Sequence, residues 1–158
     1  MEFFTIGVYN STEEDFFNKL IENKIDTFCD IRRRRGVRGA KYVFVNSLRL
    51  QARLKELGIE YLHILDLAPT NEIRDLQNQA DKENKEKKRD RNTLGKVFSI
   101  AYKDRVLSEF DFIAFIQDLE DRGAEKVVLF CVEENPEACH RSIVSNRLEK
   151  LNYKTHHL

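Results

Sequence analysis

The segment that most restricts the fold is a nearly continuous apolar run, KVVLFCV, at residues 126–132. A strand that is apolar on both sides must be covered on both faces, which is the usual situation of a central strand in a parallel sheet. Parallel neighbours require crossover connections, and these are normally helices that pack on the sheet. The run therefore predicts an α/β domain.

The rest of the chain alternates between strand and helix patterns. Apolar, aromatic and β-branched residues predict further strands over residues 3–9, 25–31, 59–65 and 154–158. Helices are predicted to begin near four capping residues, each followed by apolar residues at helical spacing: Ser11, Asn46 or Ser47, Ser108 and Asn135. We therefore predict a three-layer α/β/α single domain, residues 1–158, with a mainly parallel sheet.

Length, charge and cysteine count limit the class of protein. A chain of 158 residues suits one domain, and 27 basic residues balance 27 acidic ones. The three cysteines are an odd number without a signal peptide, which favours a reducing, cytoplasmic setting without disulfides. The longest apolar runs are far shorter than the roughly 18 to 20 residues that span a bilayer, so we expect no membrane partner.

Local charge is more informative than the total. Residues 31–55 hold nine Lys or Arg and no Asp or Glu. Arginine forks recognise phosphate, so Arg34, Arg35 and Arg38 predict a loop that binds an anionic, phosphate-bearing ligand. A merely solvated basic loop is the alternative. A second charged segment, residues 81–96, is predicted to be mobile.

Polar residues follow several predicted strands where each one ends. Ligands of parallel sheets bind beyond the carboxyl ends of the strands, so these residues are candidates for a shared pocket. They are Gly7, Tyr9, Asp30, Arg32, His63 and Glu133. Asp30 and Arg32 point to the same side of their strand and can contact a ligand, or they can form a structural ion pair.

The segment CVEENPEACHR, residues 131–141, joins the apolar strand to the last helix. Either Glu133 or Glu134 can act as a general acid or base. Cys139, His140 and Arg141 occupy the first turns of the helix, where the helix dipole and a neighbouring cation acidify a thiol. Burial of Cys139 in the core is the alternative interpretation, since free cysteines are often buried.

Motifs for metals and common cofactors are missing from the sequence. Zinc prefers thiolate and imidazole ligands, which Cys131, Cys139, His140 and His157 could supply, but no C-x-x-C or H-x-x-x-H spacing supports a site. The glycine-rich loops that bind dinucleotides or nucleoside triphosphates are also missing. We therefore predict neither a metal nor a cofactor.

Four segments together resemble one family. They are TIG at 5–7, DTFCDIR at 26–32, LGIEYLHILDL at 57–67 and CVEENPEACHR at 131–141, and they resemble the domain-of-unknown-function 488 family. The resemblance implies a compact three-layer α/β domain of the bacterial or archaeal cytoplasm. It also implies a pocket lined by the six matching positions Asp30, Arg32, Glu133, Cys139, His140 and Arg141. The chain departs from the family pattern at Val8-Tyr9, at Ala68-Pro69 and in its heavy arginine run.

These patterns favour an enzyme that acts on a nucleotide, nucleoside or nucleic-acid base, with hydrolysis as the simplest reaction. Arg32, Arg141 and the basic loop would hold phosphate. Glu133 would act as the general acid or base, and Asp30 would orient a sugar hydroxyl or a water molecule. Two alternatives remain open: a noncatalytic nucleic-acid or nucleotide-binding module, and a thiol-dependent transferase or redox protein that uses Cys139.

Overall fold

The structure is a computed structural model that describes residues 1–85, 87 and 91–158. It contains a five-stranded, all-parallel sheet with strand order β3-β2-β4-β1-β5. The strands are β1 (Glu2–Ile6), β2 (Thr27–Asp30), β3 (Glu60–His63), β4 (Lys126–Phe130) and β5 (Thr155–His157). The predicted three-layer α/β/α fold is confirmed, and the apolar run provides the central strand.

Helices follow the strands in the order that the crossover rule requires. They are α1 (Glu13–Glu22), α2 (Ser47–Glu56), α3 (Asn71–Glu83), α4 (Lys96–Tyr102), α5 (Phe112–Asp121) and α6 (His140–Lys150). Between β1 and β2 the chain passes β4, and between β4 and β5 it passes β1. These two connections therefore cross the sheet in opposite directions. Right-handed crossovers in opposite directions place α1 and α6 on opposite faces of the sheet.

Three predicted helix starts are displaced. The first helix is capped by Thr12, which exchanges hydrogen bonds with Asp15, instead of by Ser11. The helix predicted from residue 108 begins at Phe112 behind the Asp111 cap, because a π-helical turn (Lys103–Leu107) prolongs α4. The helix predicted from Asn135 is broken into a short 3-10 turn (Pro136–Ala138) and α6.

The charged segment predicted to be mobile, residues 81–96, is only partly covered. Its first residues complete α3, and Asp81 and Arg91 are buried. Residues 86 and 88–90 lie outside the described residues, so mobility of the segment stays a prediction. Among the described residues, no helix has the length and apolar character needed to traverse a bilayer.

An aromatic cluster ties α1 to the sheet. Phe16 is fully buried, and its ring lies 5.3–6.3 Å, centroid to centroid, from the rings of Phe17, Phe28, Phe44 and Phe130. Phe28 and Phe130 belong to adjacent strands β2 and β4. The cluster thus packs one helix across the two strands whose ends carry the site described below.

Replacing Phe16 with alanine is expected to lower the free energy of unfolding by about 3–5 kcal/mol, because it removes a buried ring from a packed cluster. Urea denaturation followed by circular dichroism measures the loss. Leu48→Ala is the control, since Leu48 is 86% exposed and its removal should change stability by less than about 0.5 kcal/mol. Equal losses in both variants would contradict this assignment of the core.

Candidate functional site

A cavity of about 490 Å³ opens beyond the carboxyl ends of β1, β2 and β4. These ends are level, because Ile6 and Asp30 both pair with Phe130. The crossovers from β1 and from β4 leave in opposite directions at this point, which is where ligands of open parallel sheets bind. The location predicted for the site from strand ends therefore coincides with a real cavity.

The cavity wall is strongly cationic. Among the described residues, six arginines line it and Glu133 is the one carboxylate that does; the arginines are Arg32, Arg33, Arg34, Arg38, Arg74 and Arg91. Arg33, Arg34 and Arg38 are exposed and belong to the loop after β2, whereas Arg74 is half-buried on α3. The cavity therefore offers several hydrated guanidinium groups to an anion.

A buried ion pair forms the base of the basic loop. The guanidinium of Arg32 donates to both carboxylate oxygens of Asp30, from Nε at 2.8 Å and from Nη2 at 2.7 Å. Nη2 also donates to the carbonyl of Val45 at 3.0 Å, and the Tyr61 hydroxyl donates to Asp30 at 2.9 Å. Burial, together with the charge of Asp30, raises the pKa of Tyr61 to about 12, so its hydroxyl remains a donor.

The two residues of this pair differ in their access to the cavity. Arg32 is 3% exposed and contributes to the wall, with its guanidinium 4.4 Å from the centre of the Phe130 ring. Asp30 is fully buried and lies behind Arg32, outside the lining. The carboxylate of Asp30 is therefore placed to position Arg32 instead of contacting a ligand.

Of the two adjacent glutamates, Glu133 lies in the cavity. Its Oε2 accepts a hydrogen bond from the Cys131 thiol at 3.1 Å, and its Oε1 lies 3.3 Å from Nη2 of Arg91. Glu134 is exposed and accepts from the Asn10 side chain at 2.5 Å, at the edge of a second, smaller cavity. This geometry favours Glu133 over Glu134 as the acid or base at the arginine-lined cavity.

Arg91 is a site residue that the sequence analysis missed. It pairs with Asp81 at 2.8 Å as well as with Glu133, and it donates to the carbonyl of Ala138 at 2.9 Å. It lies within a run of charged residues that has no helical or strand pattern. No sequence signal distinguishes it from the other charged residues of this run, since only the fold brings residue 91 beside residue 133.

Arg141 and Gly7 support the segment that carries Glu133. The guanidinium of Arg141 is buried and donates to the backbone carbonyls of Glu133 and Glu134, the latter at 2.7 Å. A Cβ atom on Gly7 would lie 2.0 Å from the carbonyl oxygen of Glu133, so a side chain cannot fit there. Both residues lie outside the cavity lining, although the sequence analysis predicts ligand contacts for them.

Two thiols and an imidazole form the floor of the cavity. The His140 Nε2 donates to the carbonyl of Ile31 at 3.1 Å, because a carbonyl can only accept. In the neutral ring, Nδ1 is therefore unprotonated, and it lies 3.9 Å from Sγ of Cys131 and 3.7 Å from Sγ of Cys139. The break in the chain at Cys139, whose backbone is extended between the 3-10 turn and α6, brings the two thiols together.

The environment shifts the pKa values of this group. The hydrogen bond with Cys139, together with burial, raises the pKa of Cys131 well above that of an ordinary thiol. Burial acts to lower the pKa of His140, but Cys131, Glu133 and the carbonyl of Ile31 outweigh it, and the net direction is upward. Cys131 is therefore a neutral thiol donor in the structure at neutral pH.

The remaining predicted site residues divide into two groups. Tyr9, Arg34 and Arg38 line the cavity, with Tyr9 packed against Tyr42 at a centroid distance of 5.3 Å. Arg35 and His63 do not belong to the lining. Instead, the His63 ring bonds to the carbonyl of Arg32 at 2.9 Å, and the backbone carbonyl of Arg35 accepts from Ser47, so both are placed to hold the loop in position.

The fold and this site define a three-layer α/β domain with an arginine-lined cavity at the carboxyl edge of its sheet. The model of the family described as "Domain of unknown function DUF488" matches residues 12–148. The chain therefore belongs to this family, as its motifs indicate. No match was found among the curated proteins or among the solved structures.

Removing the charge of Asp30 is expected to destabilise the fold, because it leaves the guanidinium of Arg32, which is 3% exposed, without its counterion. Asp30→Asn should lower the free energy of unfolding by about 3–5 kcal/mol. The control is Glu56→Gln, which breaks an exposed pair with Arg53 and should cost less than about 1 kcal/mol. Chemical denaturation of the two variants measures the difference, and similar small losses would show that the buried pair does not stabilise the fold.

Proposed function

We propose that this protein is a hydrolase that acts on a phosphate-bearing nucleotide or on a base within a nucleic acid. One observation carries the proposal: the carboxylate of Glu133 lies in a cavity that six arginines line. Among the described residues, Glu133 is the one carboxylate of this wall, which also includes the imidazole of His140. Such a cavity combines groups that bind an anion with a group that can transfer a proton. These are the two requirements of nucleotide hydrolysis.

The arginines supply the recognition of phosphate. The exposed guanidinium groups of Arg33, Arg34 and Arg38 face the cavity from one side, and Arg74 faces it from α3. Guanidinium forks bind phosphate oxygens in pairs, and such charge-assisted hydrogen bonds are about twice as strong as neutral ones. The sequence also suggests Arg32 and Arg141 for phosphate, but Arg141 lies outside the lining and donates to the carbonyls of Glu133 and Glu134. Arg32 lies at the base of the loop, where Nε and Nη2 bind Asp30 and Val45 and Nη1 has no hydrogen-bond partner among the described residues. The proposal therefore assigns the phosphate to the loop and to Arg74.

The size and aromatic content of the cavity suit a nucleotide. A volume of about 490 Å³ lies within the range of about 300–1,000 Å³ that is usual for small-molecule sites. Tyr9 and Tyr42 both line it, and the centroids of their rings are 5.3 Å apart. Aromatic rings of this kind stack on nucleobases without demanding one base. The proposal thus places the phosphate among the arginines and the base against the tyrosines.

Glu133 is the proposed general base. Its carboxylate would take a proton from a water molecule as the water oxygen attacks, and the bond to the leaving group would break. The leaving group would then receive the proton from Glu133, so that the reaction consumes one water. Arg91 holds Oε1 by an ion pair, and Arg141 holds the backbone of the same residue. Asp30 acts in this proposal as a positioning residue for Arg32.

Binding tests the phosphate assignment. The cavity should bind adenosine 5′-monophosphate more tightly than adenosine, by about tenfold or more, which corresponds to about 1.4 kcal/mol. Neutralising two exposed arginines of the wall in the double variant Arg34→Ala/Arg38→Ala should remove this preference. Isothermal titration calorimetry at low and at moderate salt measures both affinities.

The matched control for binding is the double variant Arg49→Ala/Lys55→Ala. It removes the same charge from the same basic stretch, but at exposed positions of α2 that lie outside the cavity. This variant should retain the preference for the phosphorylated ligand. If both double variants weaken binding equally, the arginines act only through the overall charge, and the phosphate assignment is wrong.

Turnover tests the role of Glu133. A panel of nucleoside 5′-monophosphates and single-stranded oligonucleotides, analysed by chromatography for released base, nucleoside or phosphate, should show hydrolysis by the native chain. Glu133→Gln should reduce the rate by about 100-fold or more, since it removes the proton acceptor. Glu134→Gln is the control, because that side chain lies outside this cavity, and it should keep the native rate. Binding without any turnover across the panel would favour a noncatalytic nucleotide-binding module.

A thiol-dependent transferase or redox protein is supported less well. Cys131 and Cys139 do reach the cavity floor beside His140. However, the raised pKa of Cys131 disfavours the free thiolate that attack on a substrate needs. The geometry therefore favours the carboxylate over a thiol as the reactive group.

A further inference from the structure

We propose that Cys131, Cys139 and His140 bind a zinc ion at the floor of the cavity, with one coordination position open towards the ligand. Their ligand atoms, two Sγ and one Nδ1, all lie within 4.8 Å of one another. All three residues also line the cavity. The group is therefore compact enough for one ion and is accessible from the side where a ligand would enter.

The distances agree with tetrahedral coordination. Zinc lies about 2.3 Å from sulfur and about 2.0–2.1 Å from nitrogen, so a sulfur and a nitrogen on one tetrahedral zinc are about 3.6 Å apart. The Nδ1 atom of His140 lies 3.7 Å from Sγ of Cys139 and 3.9 Å from Sγ of Cys131. The two sulfurs lie within 4.8 Å of each other, whereas two sulfurs on one tetrahedral zinc are about 3.8 Å apart, so shifts of up to about 1 Å would complete the site.

The orientation of His140 provides a second, independent indication. Histidines that bind metals almost always donate their other ring N–H to a carbonyl or carboxylate, which fixes the tautomer. His140 donates from Nε2 to the carbonyl of Ile31, and this bond leaves Nδ1 unprotonated in the neutral ring, beside the two thiols. The Tyr102 ring packs on the imidazole at 5.3 Å, and its hydroxyl is anchored on the carbonyl of Leu67 at 2.6 Å. The imidazole is thus held in the geometry of a metal ligand.

The ligand chemistry selects the class of ion. Two thiolates and an imidazole suit zinc and exclude hard ions such as magnesium and calcium, which need oxygen ligands. Binding of the ion would replace the protons of the two thiols, which pass to the solvent, and the resulting two thiolates balance the charge of a divalent ion inside a buried site. The sequence analysis predicts no metal because the spacing of Cys131, Cys139 and His140 matches no common motif. His157, also considered there, lies on β5, where Nδ1 bonds to the Thr5 hydroxyl at 2.7 Å.

Three protein ligands and one open position are typical of catalytic zinc, whereas structural sites have four protein ligands. Glu133 lies beside the group, with Oε2 at 3.1 Å from Sγ of Cys131. A water molecule on the zinc would be acidified to a pKa of about 7 and would transfer its proton to Glu133, leaving a zinc-bound hydroxide. This use of the ion rests on the proposed function, but the binding of zinc does not.

The experiment is a titration of the full, metal-free chain with Co²⁺, a spectroscopic substitute for zinc, in the absence of nucleotide. We expect one equivalent to bind, with thiolate-to-cobalt charge transfer in the near ultraviolet and the strong visible bands of tetrahedral cobalt. One equivalent of Zn²⁺ should abolish these bands by displacement. Glu134→Gln should bind the same amount, since Glu134 lies outside this cavity.

Variants of the ligands identify the site. Cys131→Ser and Cys139→Ser should each weaken Co²⁺ binding by about 100-fold or more. Cys29→Ser is the matched control, because Cys29 is equally buried but lies on β2, outside the group, and it should bind like the native chain.

Two results would overturn the proposal: a native spectrum without thiolate charge transfer, or full binding in both ligand variants. If the ligand variants do not fold, the native spectrum alone decides, since its charge-transfer intensity reports the number of thiolates. Loss of nucleotide binding or turnover would bear only on the proposed function, because the titration contains no nucleotide.

Discussion

The buried ion pair between Asp30 and Arg32 is the interaction on which the arrangement of the site depends. Burying a carboxylate and a guanidinium is costly unless they are hydrogen-bonded. Here Tyr61 on β3 and the carbonyl of Val45 supply partners beyond the pair itself, whereas Nη1 of Arg32 has no hydrogen-bond partner among the described residues. The pair therefore connects the end of β2 to its neighbouring strand and to the far end of the basic loop. The exposed arginines of that loop face the cavity because Arg32 anchors the point where the loop leaves the sheet.

The segment after β4 is the second support of the site. Gly7 admits the carbonyl of Glu133 at a distance that no side chain would allow, and Arg141 binds the same carbonyl from α6. The chain then turns through a 3-10 segment and extends at Cys139 before α6 begins. This break, and not the helix itself, brings Cys139 and His140 back to Cys131. The backbone of Glu133 is thus held by the close approach of Gly7 and by the side chain of Arg141.

The fold could be predicted from the sequence because a parallel sheet has a strong apolar pattern, with KVVLFCV as its centre. The rule for strand ends predicted that polar residues gather at this edge of the sheet, and Tyr9, Arg32 and Glu133 do line the cavity there. Roles within the site were harder to predict. The sequence predicts that Asp30 lies at the end of a strand and Arg141 at the start of a helix. It does not show that both side chains are buried behind the wall of the cavity. Contacts such as those of Arg91 depend on distant parts of the chain, and local patterns contain no information about them.

The pair of tyrosines at the cavity has a practical consequence for optical work. The chain contains five tyrosines and no tryptophan, so its near-ultraviolet emission comes from tyrosine alone. Two of the five, Tyr9 and Tyr42, lie together in the cavity wall. Quenching of this intrinsic fluorescence would therefore report, without a label, on a molecule that enters the cavity, because two of the five emitting side chains lie in its wall.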